Sequence, residues 1–127
     1  MEKIDGRGER ILVVEDEADI LGFIQTGLTS CGFSVTAATS AEEALSLFNA
    51  EEGAFDVVVS DVVLPAMDGV SLARELSRQK PGLPLVLASG YLNDRANWKR
   101  IEEEGYRFLQ KPFTLIELLK VIADITG

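Results

Sequence analysis

Short apolar runs alternating with helix-period segments predict an α/β protein, a doubly wound parallel sandwich of (βα)5 order. Three observations carry this expectation. Five strand-like runs, at 11–14, 35–38, 57–60, 85–88 and 107–109, recur along the 127 residues. Between them, apolar residues repeat at i, i+3, i+4 and i+7. Glycines, prolines and capping residues fall at the joints. Strands that alternate with helices imply a parallel sheet, and right-handed crossovers cover both of its faces.

Each element has its own justification in the chain. After the run Ile11-Leu12-Val13-Val14, a helix beginning near Ala18 is marked by Ile20, Leu21, Ile24 and Leu28, and Gly32 follows its end. The second run leads to Ser40, with Glu43 three residues on, a capping-box pattern ahead of Ala41, Ala44, Leu45 and Phe48. Three consecutive valines, Val57-Val58-Val59, read as a strand buried on both faces. Asp68 can cap a helix carrying Gly69, Leu72, Ala73 and Leu76; Pro81-Gly82 ends it and Pro84 opens the fourth strand. A fourth helix, about 94–104, has only Trp98 and Ile101 to bury, beside the solvated run Glu102-Glu103-Glu104. With so little to pack it is the expected mobile element. Trp98 reads as half-buried packing, with a partner anchor as the alternative. Gly105 precedes the weakest strand, and Thr114 caps a last helix of Leu115, Leu118, Leu119 and Ile122. Residues 1–9 read as a polar leader or linker and 10–127 as one domain.

Composition removes several function classes. With no histidine among the 127 residues, Ser-His-Asp and Cys-His catalysis and histidine-ligated metals are excluded. The single cysteine, Cys31, cannot bridge internally and reads as a small half-buried hydrophobe. Twelve basic against twenty-one acidic residues, a net charge of −9, disfavour direct nucleic-acid binding. No apolar run approaches the roughly 18 residues of a membrane span, and the N-terminus has no signal-peptide core. A cytoplasmic location is expected.

Parallel strands present their carboxyl ends along one edge, where open α/β sheets place ligands. Glu15, Asp16 and Glu17 follow the first strand, Asp61 ends the third, Ser89-Gly90 follow the fourth, and Lys111-Pro112 the fifth. Ionised carboxylates are rarely buried unpaired. Glu15, Asp16 and Asp61 make a hard, oxygen-rich set that suits Mg2+. Asp16 reads as a direct ligand, with an N-cap role as the alternative. Asp61 is either a turn residue or a phosphoryl acceptor. In the second case Lys111 would neutralise phosphoryl charge and Ser89 would donate to a phosphate oxygen.

Glu15-Asp16, Asp61 followed by Leu64-Pro65-Ala66-Met67-Asp68-Gly69, Ser89-Gly90 and Lys111-Pro112-Phe113 closely resemble the receiver domain of two-component response regulators. The resemblance spans residues 10–125, in order and at the right elements. It implies a flavodoxin-like sandwich with a five-stranded sheet in the order 2-1-3-4-5. It implies that Asp61 is the phosphoacceptor, that Asp16 and Asp61 ligate Mg2+ directly, and that Glu15 does so through water and Val63 through its main-chain carbonyl. Lys111 would pair with the carboxylate and then the phosphoryl group. Ser89 and Phe108 would be the switching hydroxyl and aromatic, with plain core packing the alternative for Phe108. The Lys111–Pro112 peptide would be cis, and Met67 and Gly69 would shape the loop after Asp61. The implied partners are a histidine kinase or histidine phosphotransfer domain and an unknown downstream protein, with no membrane and a monomer or weak dimer. The chain resembles either a stand-alone regulator or the receiver module of a hybrid sensor kinase, and Leu87-Ala88-Ser89-Gly90-Tyr91 favours the second.

Two positions depart from the family's pattern. Val63 stands where many members carry a polar side chain that positions water, and Tyr91 is bulky beside Ser89. Together they predict slow loss of the phosphoryl group. A haloacid-dehalogenase-like phosphatase needs a second aspartate where Val63 stands. A dinucleotide or P-loop module needs a glycine-rich loop after the first strand, which is absent. A degenerate, non-phosphorylated interaction module would not keep the full acid and lysine set.

Overall fold

The computed structural model describes residues 6–90 and 95–126, the side chains of 95–97 excepted. Strands β1 (Arg10–Val14), β2 (Ser34–Ala38), β3 (Val57–Asp61), β4 (Leu85–Ser89) and β5 (Arg107–Gln110) alternate with helices α1 (Ala18–Ser30), α2 (Ala41–Ala50), α3 (Gly69–Gln79), α4 (Arg95–Glu103) and α5 (Leu115–Thr126). All neighbouring pairs are parallel and the sheet order is β2-β1-β3-β4-β5. The expected (βα)5 order and strand order are therefore both present.

Strand periodicity splits the interior in two. Leu12, Val14, Val58, Leu85 and Leu87 face one core with Phe48, Leu72, Leu76 and Ile101 from α2, α3 and α4. Their neighbours Ile11, Val13, Val57, Val59 and Val86 face the other, with Leu21, Ile24, Leu28, Leu118 and Ile122 from α1 and α5. A sheet covered on both sides explains why β3 and β4 are buried along their whole length. The edge strand β2 is buried only at Ala38.

Capping follows the sequence closely. Ser40 Oγ accepts from the Glu43 amide at 3.1 Å, although the Glu43 carboxylate reaches back to the Thr39 amide at 2.7 Å rather than to Ser40. Asp68 Oδ1 accepts from the Ser71 amide at 2.7 Å. Thr114 and Glu117 form a reciprocal box, both bonds 3.1 Å. Gly32 and Gly105 have φ of +93° and +90°, the left-handed geometry that helix exits require. Residues 6–9 run beside the α1–β2 turn, with the Gly8 amide donating to Gly32 O at 2.9 Å and the Ser34 amide to Glu9 O at 2.9 Å.

Strand order reverses at β1, which has β2 on one side and β3 on the other. The carboxyl ends of β1 and β3 thus flank the topological switch point, the crevice where such sheets bind ligands. Glu15 and Asp61 stand there.

Candidate functional site

Backbone bonds that prolong the sheet place each functional side chain. The Glu15 amide donates to Ala38 O at 3.0 Å, carrying the β1–β2 ladder one step past Val14. The Lys111 amide donates to Ser89 O at 2.9 Å and does the same beyond β5. The Val62 amide donates to Ala88 O at 2.9 Å, so the chain turns only after Asp61. Asp61 itself is fixed from behind. Ser60 Oγ donates to its carbonyl at 2.9 Å, and Gly69 packs so close that a Cβ there would lie 2.1 Å from Asp61 O.

Lys111 Nζ lies at the centre, donating to Glu15 Oε1 and Oε2 at 3.1 and 3.0 Å and to Asp61 Oδ2 at 3.0 Å. The Val63 amide approaches Asp61 Oδ1 at 3.4 Å. Glu15 and Asp61 are only 2% and 9% exposed. One oxygen from each of Glu15, Asp16 and Asp61 lies within 4.8 Å of the others. Asp16 is exposed and sits at the rim. Its alternative role as a helix cap is not realised: Glu17 is the N-cap of α1, with no side-chain capping bond.

Charge does not balance in this pocket. Two buried carboxylates and the rim carboxylate of Asp16 share one ammonium, and like charges in a poorly solvated space repel. Burial pushes the Glu15 carboxyl up to about 7; the Lys111 hydrogen bond works against this and the Asp61 charge adds to it. Burial alone would lower the Lys111 pKa, but its hydrogen bonds to Glu15 and Asp61 outweigh burial and raise it. Three carboxylates with oxygen donors only, and negative charge left over, fit a hard divalent cation such as Mg2+.

Ser89, at the end of β4, is 1% exposed. The Lys111–Pro112 peptide is cis. Met67 and Val63 are exposed at the mouth, 36% and 49% respectively. Phe108 is half-buried on β5, in register with Leu87 of β4. Tyr91 lies outside the described residues. Sequence reasoning missed two contacts. It paired Lys111 with Asp61 but not with Glu15, whose side-chain reach no spacing reveals. It also treated Trp98 and Phe108 separately, whereas their rings meet with centroids 4.2 Å apart.

An acid pocket bridged by lysine at the switch point of a parallel sandwich defines the class of α/β module. The chain belongs to the response regulator receiver domain family, which matches residues 11–123. It is 37% identical over 116 residues to the sensor kinase CckA of Brucella abortus, covering 91% of this chain and 12% of that protein. To the two-component response regulator ARR10 of Arabidopsis thaliana it is 33% identical over 114 residues, covering 90% of this chain and 20% of that protein. The chain thus spans a fifth or less of these curated relatives. Its fold superposes on a response regulator receiver domain protein from Clostridium thermocellum with a TM-score of 0.87, at 30% identity, covering 93% of this chain and 94% of the other. The chain is therefore a receiver domain, a module of phosphorylation-based two-component signalling. No helix among the described residues is long and apolar enough to cross a membrane.

Proposed function

We propose that Asp61 accepts a phosphoryl group from the phosphohistidine of a histidine kinase or histidine phosphotransfer domain and that the modified pocket changes the output surface. The observation that carries this is the shared ammonium: Lys111 holds both Glu15 and Asp61 at about 3 Å, leaving excess negative charge beside a buried nucleophile. A carboxylate oxygen of Asp61 attacks phosphorus; an O–P bond forms, the N–P bond breaks, and the electron pair returns to the imidazole nitrogen of the donor. Lys111 follows the charge from the carboxylate to the transferring group, and Ser89 donates to a product oxygen. Asp16, Asp61, the Val63 carbonyl and, through water, Glu15 would hold Mg2+, which would supply positive charge to offset the phosphoryl oxygens.

The domain promotes its own phosphorylation and slow dephosphorylation, with Val63 and Tyr91 limiting the approach of water. Ser89 and Phe108 carry the change outward. Residues 10–127 form the receiver module and 1–9 its linker. Similarity to the sensor kinase CckA, whose receiver domain is among the similar solved structures as that of a hybrid histidine kinase, supports placement in such a kinase. We further assign a cytoplasmic location, a protein rather than nucleic acid as downstream partner and a monomeric or weakly dimeric state.

Incubation with Mg2+ and acetyl phosphate, followed by intact-mass measurement, tests the assignment. A gain of one phosphoryl group is expected, abolished by chelator and by Asp61→Asn. A gain that survives Asp61→Asn refutes it.

A further inference from the structure

The chain has one tryptophan, and it lies on α4. Trp98 is half-buried on α4, its ring centroid 4.2 Å from that of Phe108 and the planes 31° apart. Its Nε1 is shielded from solvent yet meets no hydrogen-bond partner among the described residues. Ring contact of this kind is attractive. A shielded N–H without an acceptor has lost its water and gained nothing in return. One side chain therefore both holds α4 down and penalises the docked position.

Among the described residues little else anchors that helix. Among the described residues of α4, Ile101 alone is fully buried. Just past its end, Glu104 accepts from Arg74 Nε and Nη2 of α3 at 3.0 and 2.8 Å, an exposed ion pair of the kind that contributes little. An element held by one specific contact and penalised by an unmet donor shifts its equilibrium when either is changed. Its contact partner is tied to the pocket. Phe108 lies three residues before Lys111, whose side chain holds Asp61 and whose amide holds Ser89 O.

We propose that Trp98 is a positioning residue that latches α4 onto Phe108 in the unphosphorylated protein, and that phosphorylation of Asp61 releases the indole to solvent. The inference rests on Asp61 being the phosphoacceptor. A phosphoryl group brings charge and acceptor oxygens that compete for the Lys111 ammonium. Any shift of the end of β5 moves Phe108, and ring attraction falls steeply with displacement. The unmet N–H penalty is unchanged by that shift, so the balance tips toward the open state, where water satisfies the indole.

The single tryptophan reports its own exposure. Acrylamide quenching and emission maximum are followed after addition of Mg2+ and acetyl phosphate, with intact mass read on the same samples. The quenching constant is expected to rise about twofold and emission to shift red in proportion to the phosphorylated fraction, as a population shift requires. Asp61→Asn shows neither change. Phe108→Leu, its fold checked by circular dichroism, is expected to be quenched strongly from the outset and to respond no further. Phosphoryl incorporation with unchanged quenching overturns the latch and leaves the phosphoacceptor assignment intact. Absence of incorporation at Asp61 overturns that assignment and the latch with it.

Discussion

Val63 presents an isopropyl group at the mouth of the pocket, 49% exposed, while its amide lies 3.4 Å from Asp61 Oδ1. The backbone at this position is committed to the carboxylate, and the side chain has no polar atom with which to orient a water. With Asp61 as phosphoacceptor, hydrolysis of phospho-Asp61 then proceeds without a water-orienting side chain from position 63. Val63→Asn restores a donor and acceptor at that point. It is expected to shorten the half-life of labelled phospho-Asp61 by about tenfold, less than a full general base contributes. Decay that is no faster in the variant would show that Val63 does not control access. Most of the pocket is legible in the sequence because its residue types are anomalous where they stand. A carboxylate after three valines, or a lysine before proline at a strand end, has few bland explanations. Contacts made by long, rotatable side chains are not legible in this way. The three bonds of Lys111 to two carboxylates at the ends of different strands depend on rotamers, and the Trp98–Phe108 ring contact on how α4 seats against the sheet.

At the scale of elements, α3 begins on a residue with no room for a side chain. A Cβ on Gly69 would stand 2.1 Å from Asp61 O and 2.9 Å from both Asp61 C and Val62 Cα, all backbone atoms with nowhere to yield. The Gly69 amide also donates to Val62 O at 2.7 Å, which ties the helix start to the residue that follows Asp61 at the end of β3. Gly69→Ala must therefore push either α3 or Asp61 out of place. A loss of about 1–3 kcal/mol by denaturant titration is expected, typical of overpacking, together with slower phosphorylation. Gly22 provides the contrast, since it is exposed in the middle of α1 and a Cβ there would meet nothing within 4 Å. Gly22→Ala should stabilise by about 0.5–1 kcal/mol through helix propensity alone. Equal effects at the two sites would sink the steric account. Element positions were readable because apolar period, caps and turn residues agree at nearly every joint. The left-handed residues Glu52 and Ala66, with φ of 53° and 67°, gave no such sign, since neither is a residue type that favours that geometry.

For the whole molecule, the pocket couples proton binding to folding and, with Mg2+ as the proposed cofactor, to metal binding as well. The Glu15 carboxyl is raised from 4.5 to about 7 in the metal-free protein, first by burial and then by the Asp61 charge, against the pull of Lys111. Below pH 4.5 the group is protonated in both folded and unfolded chains and costs nothing. Between 4.5 and about 7 the unfolded chain releases the proton while the folded one keeps it. The Glu15 contribution to stability therefore falls with rising pH across that window, because at this site the folded state binds more protons. Lys111 is also raised, but it acts only above its ordinary value of 10.5 and lies outside the window. Glu75 is lowered by Arg78, so its contribution changes below 4.5. Mg2+ requires the ionised carboxylates, so it should bind about tenfold more weakly at pH 6 than at pH 8 and offset the loss of stability as pH rises. The measurement is thermal unfolding from pH 5 to pH 8 at constant ionic strength, with and without Mg2+. The melting temperature of the metal-free protein should drop across the range, the drop should shrink with Mg2+, and Glu15→Gln should flatten the metal-free curve. Constant ionic strength is needed because a net charge of −9 makes the chain sensitive to screening alone. A metal-free melting temperature that rises with pH, or a slope that survives Glu15→Gln, would place the coupling somewhere other than Glu15.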